Sequence, residues 1–512
     1  MNGAQSLVAT FLASGLDTCF TNPGTSEMHF VAALDDQPDM RCVLCLFEGG
    51  ASGAADAYHR MSGKVAATLL HLAPGFGNAF ANLHNARKAG AGVLNVVGDH
   101  ATYHLGYESP LRGDVAGVSG AISHSVITAQ DAGGVAADGS RALRAARMAG
   151  GQISTLILPA DTAWGDGGPA ATAAPPPALP RPDPARIAAA VHALRQDGAA
   201  LMVGGPALHG PGLQLAGRVA QAAGATLMAP LLVGRIGRGA GTPPLTRQAY
   251  VVEENVMVLG NTRAMVLVGA DRPVSFFAYP GKPSLPEPPD CAITDLCPPG
   301  WDVVHTLEAL ADALGASAAP QTITQAVPDI PEGPLTQDRV GRTLAALMPD
   351  GAIVVDEGIT SSRGASMETV AAAPHDWLHT PGGAIGGGLP NAVGAAVACP
   401  DRPVIALTGD GSAMYTIQSL WTMANERLNV VIIVFANRGY QILRLERMNL
   451  GLGKPGPNAM RMFDVMDPDL DWQAMARAHG VASARAEDCA GFADALRTGL
   501  KEPGPFLIEA VV

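Results

Sequence analysis

The residues with the clearest capacity for chemistry are an aspartate and an asparagine that follow two apolar segments in the C-terminal third of the chain. Asp410 lies in the sequence GDGS, just after the apolar residues 404–407, and Asn437 follows the apolar residues 430–435. Both segments are short and rich in valine and isoleucine, which is typical of buried parallel strands. The residues between them include apolar positions with helical spacing, so the sequence predicts a strand, a glycine-rich turn, a helix and a second strand.

This predicted unit places Asp410 and Asn437 at the carboxyl ends of two parallel strands, where open α/β sheets bind their ligands. A carboxylate, an amide oxygen and a nearby backbone carbonyl are hard oxygen ligands of the kind that Mg²⁺ accepts, with phosphate oxygens completing the shell. The glycines on either side of Asp410 would let a diphosphate approach the backbone, and the N-terminus of the following helix favours an anion. The alternative is an ordinary Rossmann-like turn.

The composition of the chain limits the classes of function. Its 512 residues suggest about three domains, and 61 glycines and 40 prolines are typical of a large α/β enzyme with many tight turns. The net charge of −13, without a basic cluster, argues against a nucleic-acid partner. No apolar segment approaches the roughly 18–20 residues that span a bilayer, and the N-terminus lacks the pattern of a signal peptide. We therefore expect no membrane association and a cytoplasmic location.

Two proline-rich segments divide the chain into three parts. Residues 167–184 and 316–336 have little capacity to pack and are predicted to be linkers. Each part alternates helix and strand patterns, so the predicted fold class is α/β, with three doubly wound parallel sheets. The predicted domains are residues 1–166, 185–315 and 335–512.

Polar side chains follow three predicted strands of the first domain. Glu48 follows the apolar segment 42–47, which is predicted to be a buried strand, and His71 and Asp99 follow the next two predicted strands. The carboxyl ends of parallel strands meet at one edge of a sheet, so these side chains are expected near one site. A glycine-rich turn is predicted after His71, with a helix beginning at Ala79.

The segment from GDGS to NRGY resembles the signature of thiamine diphosphate (ThDP) enzymes, in which GDG is followed by paired asparagines or a variant. Arg438 takes the place of the usual second asparagine. With the three-part layout, the resemblance covers essentially the whole chain and is nearest to benzoylformate decarboxylases, then to acetolactate synthase-like proteins. It implies that Asp410, Asn437 and the carbonyl of Gly439 hold Mg²⁺. The other residues that it places at the cofactor in this segment are Gly409, Gly411, Ser412 and Tyr440.

The resemblance also implies cofactor roles outside this segment. Glu48 matches the glutamate that protonates N1′ of the aminopyrimidine, a role that requires dry surroundings. The alternative for Glu48 is a carboxylate that stabilises a helix N-terminus. Ile385, in TPGGAIGGGLP, matches the apolar side chain that bends ThDP into a V shape, and the alternative is packing between a loop and a helix. Pro23 and Gly383 are further predicted cofactor contacts.

Residues that would handle the substrate are implied by two more segments. His71, in HLAPGFGNAFANL, matches an active-site acid/base, and an imidazole can bind a carboxylate or carry a proton. Thr25 or Ser26, in NPGTSE, matches a serine that holds the substrate carboxylate, although this turn is equally a capping motif. The segment 274–284 lacks the second active-site histidine of benzoylformate decarboxylase. The candidates for a replacement are His379, His100 and His104.

The implied activity is ThDP- and Mg²⁺-dependent, non-oxidative decarboxylation of a 2-oxo acid through an enamine on the cofactor. The alternative is an acetolactate synthase-like carboligase, a transferase that condenses this enamine with a second carbonyl compound. A third hypothesis is a nicotinamide- or nucleotide-binding protein in which GDG is incidental. The central turn VGGPALHGPG lacks a clean GxGxxG, so FAD is not expected. In this family the domains that carry Glu48 and Asp410 meet across a subunit interface, which implies a homodimer or homotetramer.

Overall fold

Three largely parallel sheets form the core of the computed structural model, which describes residues 1–512. The first sheet has six parallel strands in the order β2-β1-β3-β4-β6-β5. Its strands are β1 (Thr18–Thr21), β2 (Arg41–Leu44), β3 (Ala66–Leu70), β4 (Val93–Asp99), β5 (Ser125–Thr128) and β6 (Ile153–Pro159). The helices of this part are α1 (Gly3–Ala13), α2 (Met28–Asp35), α3 (Glu48–Ser62), α4 (Leu72–Ala89), α5 (Val115–Gly120), α6 (Val135–Ala146) and α7 (Ala160–Trp164).

The second sheet has five parallel strands in the order β10-β8-β7-β11-β12. The strands of this middle part are β7 (Ala199–Val203), β8 (Thr226–Ala229), β9 (Ile236–Arg238), β10 (Thr246–Arg247), β11 (Ala264–Val268) and β12 (Ala292–Cys297). Its helices are α8 (Pro184–Leu194), α9 (Gly210–Ala223), α10 (Val252–Leu259) and α11 (Val303–Leu314).

The third sheet has seven strands in the order β17-β18-β16-β15-β13-β14-β9. Its own strands are β13 (Ala352–Glu357), β14 (His375–Leu378), β15 (Val404–Gly409), β16 (Val430–Ala436), β17 (Ala482–Ala486) and β18 (Phe506–Val511). The helices are α12 (Gln337–Leu347), α13 (Arg363–Glu368), α14 (Gly388–Ala398), α15 (Asp410–Ala413), α16 (Ser419–Asn425), α17 (Gln441–Asn449), α18 (Pro457–Phe463), α19 (Trp472–Ala478) and α20 (Cys489–Gly499). Strand β9 comes from the middle part and pairs antiparallel with β14.

The predicted fold class, three α/β units with parallel sheets, is confirmed. The first and third units are joined within the chain by the packing of α3 on α14. A Cβ at Gly394 would lie 1.9 Å from the carbonyl oxygen of Ala54, and a Cβ at Gly53 would lie 2.6 Å from Cβ of Pro390. Only glycine permits backbones to approach this closely. The small residues of α3 therefore serve to bring the helix that begins at Glu48 against the third unit.

The strand that precedes Glu48, β2, differs from the sequence prediction. The segment 42–47 is predicted to be a buried strand, but β2 ends at Leu44 and lies at the edge of its sheet. Cys42 and Leu44 are exposed, and Val43 is the buried residue of this strand. An apolar segment of this length is compatible with either an internal or an edge strand, so the pattern could not separate the two.

Two turns predicted from glycines are helical instead. The residues after His71 begin α4 at Leu72, not at Ala79, and Leu72 itself has a left-handed φ of 51°. Pro74 lies in the first turn of this helix, where its missing N–H costs nothing. The residues after Gly409 likewise form the short helix α15, whereas Gly409 itself ends β15. No helix combines the length and the apolar character needed to cross a lipid bilayer.

Candidate active site

Asp410 and Asn437 lie at the same edge of the third sheet because β15 and β16 are adjacent and parallel. Asp410 is 3% exposed, and its carboxylate accepts N–H groups from Gly411 at 2.7 Å and from Arg438 at 2.5 Å. Burial raises the pKa of Asp410, and these two backbone hydrogen bonds oppose the rise. The carboxylate is thus held in place by the turns that follow both strands.

The turn after β16 directs main-chain groups toward Asp410. Arg438 has a left-handed φ of 56°, which a non-glycine residue adopts only at a cost. Its side chain pairs with Asp469, with Nη2 2.9 Å from Oδ2. The Asn437 side chain accepts from the N–H of Gly439 at 3.1 Å and donates to Ser361 Oγ at 2.9 Å. Arg438 therefore replaces the usual asparagine while its backbone makes the contact to Asp410.

The oxygen groups at this edge fit a small hard cation. A carboxylate from Asp410, an amide oxygen from Asn437 and the carbonyl of Gly439 form an all-oxygen set on two neighbouring turns, as Mg²⁺ requires. The adjoining turn is tight, since a Cβ at Gly411 would lie 2.5 Å from the ring of Tyr440. Ser412 is buried beside it and Gly409 is half-buried. A diphosphate could approach the backbone here because the turn carries no large side chain.

The loop that carries Ile385 is tied to the first unit by side chains of α4. The carbonyl oxygens of three alternate residues accept these hydrogen bonds: Gly382 from His84 at 3.1 Å, Ala384 from Asn85 at 2.8 Å and Gly386 from Asn82 at 3.1 Å. The carbonyl of Gly383, between the first two, accepts no hydrogen bond within the chain. Gly383 and Gly386 both have a positive φ, 71° and 95°, so this loop needs glycine at both positions. Ile385 is half-buried.

Glu48 begins α3 and is half-buried in the single chain. Its Oε2 accepts from Asn78 Nδ2 at 3.0 Å, and a Cβ at Gly75 would lie 3.0 Å from its Oε1. The dry pocket expected for this carboxylate is not formed by one chain, because β2 is an edge strand and Leu46 beside it is also exposed. Its helix N-terminal position is compatible with the capping alternative as well.

His71 is held by a buried carboxylate that the sequence did not identify. Its Nδ1 lies 2.9 Å from Oε2 of Glu27 and 3.2 Å from Oγ of Ser26. Glu27 is 4% exposed and also accepts from the N–H of Gly24 at 2.8 Å. A carboxylate accepts hydrogen bonds, so Nδ1 carries the proton and Nε2 is the nitrogen left for a substrate.

Gly98 in β4 makes room for Glu27, but this contact exists only in the folded chain and gave no signal in the sequence. A Cβ at Gly98 would lie 1.8 Å from Oε1 of Glu27, so only glycine leaves room for this carboxylate. Of the two hydroxyl residues predicted in this turn, Ser26 contacts His71, whereas Thr25 is exposed. Pro23 is half-buried in the same turn.

The candidates for a second acid/base lie in two different places. His379 is 5% exposed after β14, its carbonyl accepts from Arg60 at 2.8 Å, and none of its hydrogen bonds is to a predicted site residue. Burial, with nearby arginines, lowers the pKa of His379 well below its ordinary value. His100 follows β4, the neighbour of β3, so it shares a sheet edge with His71. Its Nε2 lies 3.0 Å from Ser109 Oγ, and its ring centroid is 5.6 Å from that of His104.

Aromatic side chains from the middle unit lie near the Ile385 loop at Gly383. A Cβ at Gly383 would lie 3.2 Å from the ring of Phe276, whose centroid is 5.1 Å from that of Tyr250. Tyr250 and Tyr279 each donate a hydrogen bond to Glu446 in α17 at 2.7 Å. The segment 274–284, which lacks the expected histidine, thus brings aromatic rings to this loop.

Glu357, the last residue of β13, is a buried carboxylate beside the Ile385 loop. It is 1% exposed, and its Oε1 accepts the N–H groups of Gly386 and Gly387, both at 2.7 Å. Burial raises the pKa of Glu357 to about 7, against the opposing effect of these hydrogen bonds. Its role was not predicted from the sequence.

Comparisons with known proteins show which families this chain resembles. Residues 1–123 match the family described as thiamine pyrophosphate enzyme, N-terminal TPP binding domain, and residues 358–510 match the corresponding C-terminal TPP binding domain. A Mycobacterium tuberculosis protein named "Putative acetolactate synthase large subunit IlvX" is 48% identical over 514 residues, which cover 100% of this chain and 99% of that protein. Benzoylformate decarboxylase of Pseudomonas aeruginosa is 30% identical over 529 residues, covering 97% of this chain and 96% of that protein.

A solved structure shares the fold over the whole length. The ThDP-dependent 4-hydroxybenzoylformate decarboxylase of Rhodococcus jostii RHA1 superposes with a TM-score of 0.87 at 24% identity, covering 100% of this chain and 99% of that one. The predicted resemblance is thereby confirmed, and with it the presence of ThDP-binding domains. The chain belongs to the family of thiamine diphosphate-dependent enzymes that contains the decarboxylases and the acetolactate synthase-like proteins.

Proposed function

We propose that this chain is a ThDP- and Mg²⁺-dependent decarboxylase of a 2-oxo acid. Asp410, Asn437 and Gly439 would hold the metal, and the turn from Gly409 to Ser412 would receive the diphosphate. When bound, ThDP supplies the electron sink that allows carbon dioxide to leave the 2-oxo acid. The all-oxygen donor set on two adjacent turns supports this assignment.

The Ile385 loop and Glu48 would orient the organic part of the cofactor. The carbonyl of Gly383 is an unused acceptor that can bind the amino group of the pyrimidine, and Ile385 offers an apolar surface two residues later. Glu48 would hold a proton at N1′ of the same ring. Pro23 and Tyr440 would pack around this cofactor. The chain's part in the reaction is thus orientation, exclusion of water and proton transfer.

One observation favours decarboxylation over carboligation: an imidazole is held by a buried carboxylate at the edge of the first sheet. Glu27 fixes Nδ1–H of His71, which leaves Nε2 to bind the substrate carboxylate or to deliver the proton that completes an aldehyde. Ser26 Oγ lies beside the other ring nitrogen, Nδ1, and would contact the substrate carboxylate. Thr25 and His379 remain weaker proposals, because neither contacts His71 in the single chain.

The second candidate is an acetolactate synthase-like carboligase. The printed name of the 48% identical relative favours it. The two reactions share the cofactor and the release of carbon dioxide, and they differ in whether a proton or a second carbonyl compound takes the carbon left on the cofactor. FAD is not part of either proposal.

The site is proposed to be completed by a second copy of the chain, as a homodimer or homotetramer. Glu48 is half-buried, and the apolar side chains of Leu44 and Leu46 beside it are exposed. A partner subunit over this edge would supply the dry surroundings that the proton on N1′ requires. The assembly would also bury apolar surface that one chain leaves in water.

The direct test is carbon dioxide release from a panel of 2-oxo acids. We expect release to require added ThDP and Mg²⁺ and to be abolished in Glu48→Gln, which keeps the size of the side chain but cannot act as an acid. Release that persists in Glu48→Gln, or without ThDP, would refute the assignment of this residue or of the cofactor.

A further inference from the structure

Glu357 lies beneath the Ile385 loop but belongs to none of the residues assigned above. It ends β13, at the carboxyl edge that also carries Asp410. Its Oε1 accepts two successive backbone N–H groups at 2.7 Å, whereas its Oε2 has only Thr408 Oγ1 at 3.5 Å. A buried carboxylate is costly, so a side chain of this type needs a reason to be here.

The N–H groups that Glu357 receives belong to the start of α14. This helix has Gly387 at its N-cap position and therefore no side-chain cap of its own. The first N–H groups of a helix need partners from outside, and a carboxylate suits the positive end of the helix dipole. A Cβ at Gly388 would lie 2.8 Å from Cβ and Oε2 of Glu357, so the helix start rests directly on this side chain. Glu357 therefore acts as a cap supplied from a neighbouring strand.

The first of these hydrogen bonds also fixes the peptide that follows Ile385. The N–H of Gly386 and the carbonyl of Ile385 belong to one planar group, so holding the N–H sets the direction of that carbonyl and of the adjoining Cα. The next carbonyl, that of Gly386, is held by Thr416 Oγ1 at 3.0 Å and Asn82 Nδ2 at 3.1 Å. Two consecutive peptides on the C-terminal side of Ile385 are thus fixed. Glu357 holds the N–H group of both, and Thr416 and Asn82 hold the carbonyl of the second.

We propose that Glu357 is a positioning residue for the cofactor, which orients the Ile385–Gly386 peptide and so sets how the Ile385 side chain meets ThDP. This inference rests on the proposed binding of ThDP. It assigns Glu357 no contact with the cofactor or the substrate, and its effect passes through the loop. The role requires a hydrogen-bond acceptor of the right length, so it does not require a negative charge.

The test compares three substitutions with a matched control. Glu357→Gln keeps an acceptor oxygen at the same reach, Glu357→Asp keeps the charge but is one methylene shorter, and Glu357→Ala removes the acceptor. Glu509→Gln is the control, because Glu509 is also buried in the third sheet but pairs with Arg485. Amide hydrogen exchange of Gly386 and Gly387 is measured in the protein without ThDP, and ThDP affinity and kcat are then measured with Mg²⁺.

We expect Glu357→Ala and Glu357→Asp to speed exchange of these two amides at least about tenfold and to weaken ThDP binding and kcat by a similar factor. Glu357→Gln should keep amide exchange, ThDP affinity and kcat close to the wild-type values, and so should the control Glu509→Gln. Unaltered exchange in Glu357→Asp would overturn the inference even if Glu357→Ala does not fold. Faster exchange with unchanged ThDP affinity and kcat would equally overturn it. Because exchange is read without cofactor, a wild-type chain that fails to bind ThDP would refute the proposed function separately.

Discussion

The Oε2 atom of Glu27 lies 2.9 Å from Nδ1 of His71, although 44 residues separate them in the chain. Glu27 is nearly inaccessible to water, and the imidazole is partly exposed at the sheet edge. This pairing fixes one ring nitrogen inward and leaves the other for chemistry. The acid/base role proposed for His71 rests on this pairing.

Glu27→Gln is expected to lower kcat while changing KM little. The amide can still fill the space but stabilises a protonated imidazole less, so proton transfer should slow by about 10²-fold, the lower end of general acid–base contributions. His71→Ala should lose at least as much. Steady-state kinetics on the accepted 2-oxo acid check this, with Gly77→Ala as a control in the helix that begins directly after His71. Equal kcat in Glu27→Gln and wild type would show that the pairing is only structural.

Asp410→Ala is expected to reduce ThDP affinity in the presence of Mg²⁺ by about 10²-fold or more, because the metal would lose its carboxylate ligand. Calorimetric titration of the variant and the wild type with ThDP measures this. Excess chelator should have the same effect on the wild type and little further effect on the variant. ThDP binding that is insensitive to both would place the diphosphate elsewhere.

Gly394→Ala is expected to destabilise the chain by roughly 1–3 kcal/mol, as overpacking in a close contact does. The new methyl group would lie 1.9 Å from the carbonyl oxygen of Ala54, so α3 and α14 would have to separate. Gly77→Ala is the matched control, because its Cβ meets no atom within 4 Å and alanine favours a helix. Denaturant unfolding of both variants gives the comparison. A Gly394→Ala protein as stable as Gly77→Ala would contradict the described packing.

The ionisation of Glu357 should make stability depend on pH. Its pKa in the folded chain is raised from 4.5 to about 7, chiefly by burial, with Asp356 beside it adding repulsion. Between these values the folded state holds a proton that the unfolded state has released, so this residue's contribution to stability falls as pH rises from about 4.5 to 7. Glu357→Gln does not titrate, and its stability relative to wild type should therefore increase across that window by up to about 3 kcal/mol. Unfolding free energies of the two proteins without ThDP, taken at several pH values, measure this difference. A difference that stays constant from pH 4.5 to 7 would mean that Glu357 is ionised throughout.

The features that could be predicted from the sequence depend on residues near one another in the chain. Asp410 and Asn437 were recognisable because each follows a short apolar strand and a turn, and those local signals fix their places at the sheet edge. Glu27 and Glu357 were not, because each acquires its role from backbone or side-chain groups that only the tertiary fold brings near. The position of β2 at a sheet edge could not be predicted from the sequence pattern either, since strand order depends on pairing between distant segments.

The most direct test of the central claim is the product balance of the ThDP- and Mg²⁺-loaded protein with pyruvate and with an aromatic 2-oxo acid. Carbon dioxide, aldehyde and acetolactate are quantified together. The account predicts one aldehyde for each carbon dioxide from the accepted 2-oxo acid, and no products in Glu48→Gln. Acetolactate formed in place of aldehyde would contradict aldehyde release as the primary activity and favour the carboligase. Bound ThDP with no carbon dioxide from either compound would contradict a 2-oxo acid substrate of these kinds.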